Sequence, residues 1–305
     1  MSEGARIEPV PWAKRRSAVA FVGGGAARDE IAELRSRMLR RLVEGRGPQQ
    51  TRLWWARRGE RCTAAAVVLE STGRTGMLFQ PPGGAPGVDA AMQMAVTGGV
   101  ARAALAGGLS LVQSLIEEQD RQDAALLQRV GFFRLARLLY LRRQFTGAET
   151  IIDDARLSWR SYGQFSEAEL GALIARTYER SLDCPALEGV RRIEDVIAGH
   201  KACGKFCPAM WWIVQRAGSP AGCVLVNETP TDGAEIIYLG VVVEHRGHGL
   251  GRALVAWTLA EARRRGRTAM DVVVDDANVY ARRLYDAAGF QQRSTRVAYA
   301  LLQTM

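Results

Sequence analysis

The sequence predicts a mixed α/β chain of the α+β kind, arranged as two like domains over residues 1–148 and 149–305. Three observations predict it. β-branched runs of strand length alternate with helix-type apolar periodicity from end to end. Leu126-Leu127-Gln128-Arg129-Val130-Gly131-Phe132 aligns with Leu284-Tyr285-Asp286-Ala287-Ala288-Gly289-Phe290, and each stretch leads into an apolar run, Leu138 to Leu141 and Val297 to Leu301. A length of 305 residues is long for one ordinary domain and comfortable for two.

In the first half, Lys14-Arg15-Arg16 ahead of Ser17 to Val22 imitates an export signal, but the apolar core is short and a first strand is expected there. From Arg28 to Val43, Ile31, Leu34, Met38 and Leu42 recur at helical spacing, with acids early and arginines late, and Gly45 to Pro48 ends the helix. Thr51 to Ala56, Cys62 to Glu70 and Gly76 to Phe79 form an antiparallel meander around two turns. After Pro81 to Gly87 come a helix to Leu105, a strand from Leu109 to Ile116 and a helix from Gln119 to Val130.

The second half repeats the order after a linker at residues 145–153. Arg156 to Tyr162 is a strand, and Ser166 to Glu169 forms a capping box, with Phe165 and Leu170 as its apolar staple. A helix follows from Ile193 to Cys203. Trp211 to Val214 and Ala221 to Val226 make a hairpin, and Glu235 to Val243 is the central strand. After a helix stopped by Gly266, Met270 to Val274 is a second buried-type strand.

Between the central strand and that helix runs Glu244-His245-Arg246-Gly247-His248-Gly249-Leu250-Gly251-Arg252. Strand, tight loop and helix start make an anion site, because the first amides of a helix have no internal partner and the helix dipole is positive there. Gly247, Gly249 and Gly251 let the backbone turn and a phosphate approach, and Arg246 adds charge. The loop lacks the Lys-Ser/Thr of a nucleotide P-loop and the dinucleotide-binding glycine spacing.

Arg246-x-x-Gly249-x-Gly251, with Asn278, Ala281, Leu284-Tyr285 and Gly289-Phe290 downstream, resembles the GCN5-related N-acetyltransferase (GNAT) superfamily over about residues 150 to 303. The resemblance implies tandem GNAT domains, each a mostly antiparallel, centrally splayed sheet flanked by helices. It implies acetyl transfer from acetyl-CoA to an amine by direct attack in a ternary complex. Val241, Val242 and Val243 would hold the pantetheine arm, and Arg246, Gly247, His248, Gly249, Leu250, Gly251 and Arg252 the pyrophosphate, through main-chain groups. Asn278 would touch the pantetheine, Tyr285 protonate the departing sulfur, and Glu235 act as general base as in histone acetyltransferases. The first two helices and Tyr238 would line the acceptor site.

Each assignment has a plainer counterpart. Tyr285 could be a core tyrosine beside Leu284 and Phe290, Asn278 a helix cap, and Glu235 a strand-edge carboxylate. Even spacing places Glu235 and Val241 on one face of their strand. The first domain departs from the pattern where the chemistry lies: prolines replace amides in Pro81 to Gly87, and Leu127 stands where Tyr285 does. It reads as a degenerate copy.

The net charge is +9, with 22 Lys/Arg against 14 Asp/Glu in residues 1–150. Arginine outnumbers lysine throughout, so the excess reads as compositional habit and not as a nucleic-acid patch. Five cysteines lack framework spacing, and Cys203-x-x-x-Cys207 beside His200 lacks the ligands to complete a zinc site. No apolar run is long enough to span a bilayer, and a cytoplasmic location with reduced thiols is expected. The expected partner is a small-molecule or peptide amine. Two other readings stand beside this one: a non-catalytic acyl-CoA-binding regulator, and a basic nucleic-acid or ribosome-binding protein.

Overall fold

The computed structural model describes residues 6–24, 30–45, 50–145, 147, 151–152, 154–230 and 232–303, with residues 30–35 described by their backbone. The start of the helix expected from Arg28, and part of the linker at 145–153, lie outside the described residues. The chain forms two compact units, Met1–Leu135 with Val297–Met305, and Ala136–Arg296.

The first half supplies β1 (Arg6–Pro9), α1 (Arg15–Gly24), α2 (Glu30–Glu44), β2 (Thr51–Arg58), β3 (Arg61–Ser71), β4 (Thr75–Phe79), α3 (Ala90–Ala106), β5 (Leu111–Ile116) and α4 (Arg121–Arg129). The second supplies β6 (Phe133–Gln144), β7 (Leu157–Ser161), α5 (Glu167–Tyr178), α6 (Ile193–Ala202), β8 (Trp211–Arg216), β9 (Ser219–Glu228), β10 (Ala234–Val241), α7 (Leu250–Arg264), β11 (Ala269–Asp275), α8 (Val279–Ala287) and β12 (Gln291–Leu302).

In the first unit the sheet runs β1-β2-β3-β4-β5-β12, and in the second β7-β8-β9-β10-β11-β6. The two orders are the same. Every pairing is antiparallel except β4 with β5 and β10 with β11. The compact units differ from the linear partition at 148/149, because the last strand of each half is built into the other unit. Val297–Leu302 of β12 pairs with β5, and Leu138–Gln144 of β6 pairs with β11. Both terminal runs are apolar and alike, so sequence pattern does not say which sheet each one closes.

Three local expectations change. Ser17 to Val22 is helical within α1, and the first strand lies earlier; Ala18, Val19 and Val22 share one helix face, buried with Leu39, Val43 and the β2–β3 strands. Among the α2 residues whose side chains are described, the buried ones are Ser36, Leu39 and Val43, whereas Met38 is 58% exposed. Close approach of α1 selects that face, since a Cβ on Gly23 would collide with Ser36, whose Oγ donates to the Ala20 carbonyl at 3.1 Å. Finally, β10 stops at Val241, and Val243–His245 make a 3-10 turn whose closing amides, His245 and Arg246, donate to Val242 and Val243.

Elsewhere local signals act as read. The Ser166 hydroxyl accepts from the Glu169 amide at 3.1 Å and the Glu169 carboxylate from the Ser166 amide at 3.2 Å, starting α5. Ala217 and Gly218, both at positive φ, turn β8 into β9. The second sheet buries one face under α7 and α8 and the other under α5 and α6.

Candidate functional site

Parallel pairing of β10 with β11 runs from Ala234↔Met270 to Ile236↔Val272 and stops. At the same point β10 carries a bulge, the register against β9 shifting between Ile236 and Tyr238. A bulge adds one residue and bends its strand, so beyond Ile236 the two strands part. The β11-facing edge of β10 as far as Val241 then has no strand partner among the described residues. This is the central splay that the resemblance implied.

The bulge also overturns a parity. Ile236, Leu239 and Val241 pack with the core under α7 and α8, whereas Ile237 and Tyr238, adjacent in sequence, both pack with the core under α5 and α6. Glu235, one residue before Ile236, therefore stands on the face opposite Val241, not on the same face. It shares its side with Tyr238.

The loop after β10 is built as an anion cradle. Gly247 and Gly249 have φ of 78° and 80°, a region side chains disfavour, while a Cβ on either would meet open space. Gly251 serves packing: a Cβ there would lie 3.3 Å from Leu284 of α8. Among the described residues, no backbone carbonyl accepts from the amides of Gly247, His248, Gly249, Leu250, Gly251 or Arg252. A run of orphan amides at the positive end of α7 is a site for negative charge. A hollow of about 380 Å³ adjoins it, lined in part by His248, Gly249, Arg252 and Arg216. Arg216, on β8, carried no sequence signal; only the fold brings it there.

Arg246 acts differently from the expectation that its charge faces the anion. Its guanidinium donates to the carbonyls of Val241 (2.9 Å), Thr177 (2.8 Å) and Arg180 (3.1 Å), and its amide closes the 3-10 turn. It ties the end of β10 to the end of α5. The remaining loop residues are left to face a ligand.

Tyr285 lies on α8, 5% exposed, edge-on to Phe290 at 5.4 Å. Its hydroxyl makes no hydrogen bond among the described residues, and burial, with a smaller contribution from the Asp183 charge, raises its pKa. Asn278 caps α8, its Oδ1 accepting from the Ala281 amide at 3.1 Å. The cap uses the oxygen and leaves the amide nitrogen without a protein partner among the described residues.

Glu235 is half-buried and makes no hydrogen bond or ion pair among the described residues. Burial, then the neighbouring Asp271 charge, raises its carboxyl pKa. Asp271 is itself held by Arg142 at 3.0 Å. On the same face, the Tyr238 and Thr177 hydroxyls are hydrogen-bonded and the His200 ring lies 5.4 Å from Tyr238. Burial, and then Arg191, holds His200 down to about 4, so the ring is neutral. Val242 is fully buried, its amide donating to Ala221, and Val243 is half-buried.

The corresponding place in the first unit is filled. β4 and β5 also part, after Met77↔Gln113, but the Ser114 hydroxyl donates to the Leu78 carbonyl across the gap at 3.3 Å. A buried chain continues from there: Gln93 donates to Thr97 (3.0 Å), Thr97 to Gln80 (3.0 Å) and Gln80 to Asp123 (3.1 Å). Gly83 sits so close to α4 that a Cβ would be 2.5 Å from the Gln122 Cβ. Protein side chains satisfy one another where the second unit presents free groups.

Among known proteins, residues 176–290 match the model described as the Acetyltransferase (GNAT) family. A mycothiol acetyltransferase of Thermobispora bispora is 34% identical over 185 residues, 58% of this chain and 61% of that protein. One of Beutenbergia cavernae is 29% identical over 189 residues, 58% of this chain and 63% of that protein. The matched stretch thus spans about three fifths of these relatives. Two solved structures match nearly end to end. A GCN5-related N-acetyltransferase from Sphaerobacter thermophilus has a TM-score of 0.60 at 17% identity, over 99% of this chain and 96% of that one. A tandem GNAT protein from the clavulanic acid biosynthesis pathway has 0.55 at 16%, over 99% of both chains. At those identities the likeness shows the fold.

Proposed function

We infer that the chain is a member of the GCN5-related N-acetyltransferase superfamily, which the family match over residues 176–290 and the mycothiol acetyltransferase relatives support, and from that premise we propose that it moves an acetyl group from acetyl-CoA to the amine of a small molecule. The observation that carries the proposal is the run of orphan amides from Gly247 to Arg252 at the mouth of the β10–β11 cleft. Those amides suit a pyrophosphate, and the unpaired edge of β10 through Val241, with Val242 and Val243 beyond it, suits an amide-bearing arm. When bound, acetyl-CoA supplies an activated thioester. The Asn278 side-chain nitrogen can donate to the arm, and Tyr285 can give its proton to a departing thiolate.

In this reading residues 149–305 hold the working site, and residues 1–148 are a degenerate copy. The filled gap between β4 and β5 supports that division. Glu235 is proposed as a base on the acceptor side. The name of the relatives makes a precursor of mycothiol the first acceptor to test. We place the reaction in the cytoplasm, where the five free thiols stay reduced.

The test is calorimetric binding of acetyl-CoA to the wild type and to Gly249→Glu, with stoichiometry fitted. One site in the wild type and none in the variant is expected, since a carboxylate would stand where the pyrophosphate lies. Two sites would make the first unit functional. Undiminished binding by Gly249→Glu would remove the loop from the site.

A further inference from the structure

The hollow beside the phosphate loop has two unlike walls, both within the second unit. It lies between the start of α7 and the end of the β7–β8 ladder, which closes on the pair Leu157↔Arg216. One wall is apolar. It holds Leu157 and Ile152, the latter 43% exposed, a large apolar side chain left in water. The other wall is basic, with half-buried Arg216 from β8, Arg252 from the first turn of α7 and His248 from the loop.

The basic wall has no counterpart in the protein. Neither the Arg216 nor the Arg252 guanidinium makes an ion pair or a hydrogen bond among the described residues. The carboxylate that lines the hollow, Asp154, is taken by Arg156, whose Nε and Nη2 donate to its two oxygens at 2.8 Å. Those bonds lead in holding the Asp154 carboxyl down to about 2, and Arg216 is the weakest influence on it. Arg252 also stands at an unfavourable place. A cation in the first turn of a helix opposes the dipole, and no acidic residue in that turn of α7 offsets it. The free amides from Gly247 to Arg252 are enough for a pyrophosphate, so both guanidinia are surplus to it. A further phosphate, carried on a flat and partly apolar body, would use both walls, because the guanidinium fork matches phosphate oxygens in pairs.

We propose that the Arg216 and Arg252 side chains bind the phosphate on the ribose of CoA, with the adenine against Ile152, so that the chain distinguishes CoA from its dephospho form. The proposal rests on the acetyl-transfer reading above. Besides its pyrophosphate, CoA carries one phosphate on the ribose, next to the adenine. With the pyrophosphate on the loop amides and the pantetheine arm along β10, the adenosine end runs away from the β10–β11 cleft. The hollow lies on that side, since β8 and β7 stand across β9 from β10, opposite β11. Arg252 then serves twice, its amide on the pyrophosphate and its side chain on the ribose phosphate. Arg216 lies outside the motif Arg246-x-x-Gly249-x-Gly251, so the discrimination comes from the end of β8 and not from the loop.

Calorimetry on the full chain, with CoA and dephospho-CoA as the two ligands, tests this. Wild type should bind CoA about thirtyfold more tightly than dephospho-CoA, the scale of hydrogen bonds between charged groups. Arg216→Gln and Arg252→Gln should each lose about fivefold in CoA affinity and stay within about twofold of wild type for dephospho-CoA. The double variant should bind the two ligands alike. Arg216→Lys keeps the charge without the fork and should recover part of the preference, and the preference should shrink as salt rises. A competition assay needs no variant: adenosine 3′,5′-bisphosphate should displace acetyl-CoA from wild type at lower concentration than adenosine 5′-monophosphate, which differs only in lacking the second phosphate. Equal affinity of wild type for CoA and dephospho-CoA overturns the proposal and leaves the acetyl-transfer reading standing. A double variant that keeps the preference overturns it too, as do single variants that weaken both ligands equally. A wild type that binds neither ligand overturns the acetyl-transfer reading first and this one with it.

Discussion

The Tyr285 hydroxyl keeps its proton because burial removes the water that a phenolate would need. A group so placed is a poor base and a usable acid toward a thiolate. Removing it should cost the fold little, since no protein partner is orphaned by the change; the expected effect of Tyr285→Phe on stability is within about 0.5 kcal/mol. Its kcat should fall about a hundredfold, with acetyl-CoA affinity kept, as loss of a general acid predicts. An unchanged kcat would return the ring to a packing role beside Phe290. The tyrosine, its spacing from Asn278 and Asn278 as a possible cap were legible in the sequence, but the split of Asn278 between a capping oxygen and a free nitrogen, and the unpaired state of the hydroxyl, were not. Both depend on which neighbours the fold supplies.

The loop from Val243 to Gly251 owes its shape to two kinds of residue. Gly247 and Gly249 permit the positive φ, and Arg246 holds the strand end and the α5 end together through three carbonyls. A lysine has one compact charge and cannot span three acceptors in a plane. Arg246→Lys should therefore destabilise the protein by about 1–3 kcal/mol in urea unfolding, the range for losing hydrogen bonds to a charged group. It should also weaken acetyl-CoA binding through a looser loop. Normal stability in that variant would show the carbonyl contacts to be incidental. The bulge at Ile237 works on the same scale. It parts β10 from β11 and turns Glu235 to the α5–α6 side, a change that alternation counted along the sequence cannot register because it inserts one residue into the count.

Exchange of β6 and β12 makes each unit depend on both halves of the chain. Residues 149–305 alone lack the strand that covers the outer edge of β11, and residues 1–148 alone lack the one that covers β5. A bare edge beside a core strand loses a full ladder and invites wrong pairing. Neither half expressed alone should show a cooperative denaturant transition, whereas the two expressed together should recover one. A cooperative transition of 149–305 by itself would rule out the exchange as a requirement for folding.

By itself the sequence determined most of the elements, though not α1, together with the repeat, the loop and the family resemblance, because caps, turns, glycine placement and apolar periodicity are local properties of a chain. Three things waited for the tertiary structure: which sheet each terminal strand closes, what Arg246 grips, and where Arg216 lies relative to the loop. Each of these depends on pairing or contact between residues far apart in sequence. Two similar apolar strands satisfy either edge equally well on paper, and an arginine on β8 has no signature until the fold brings it to the loop.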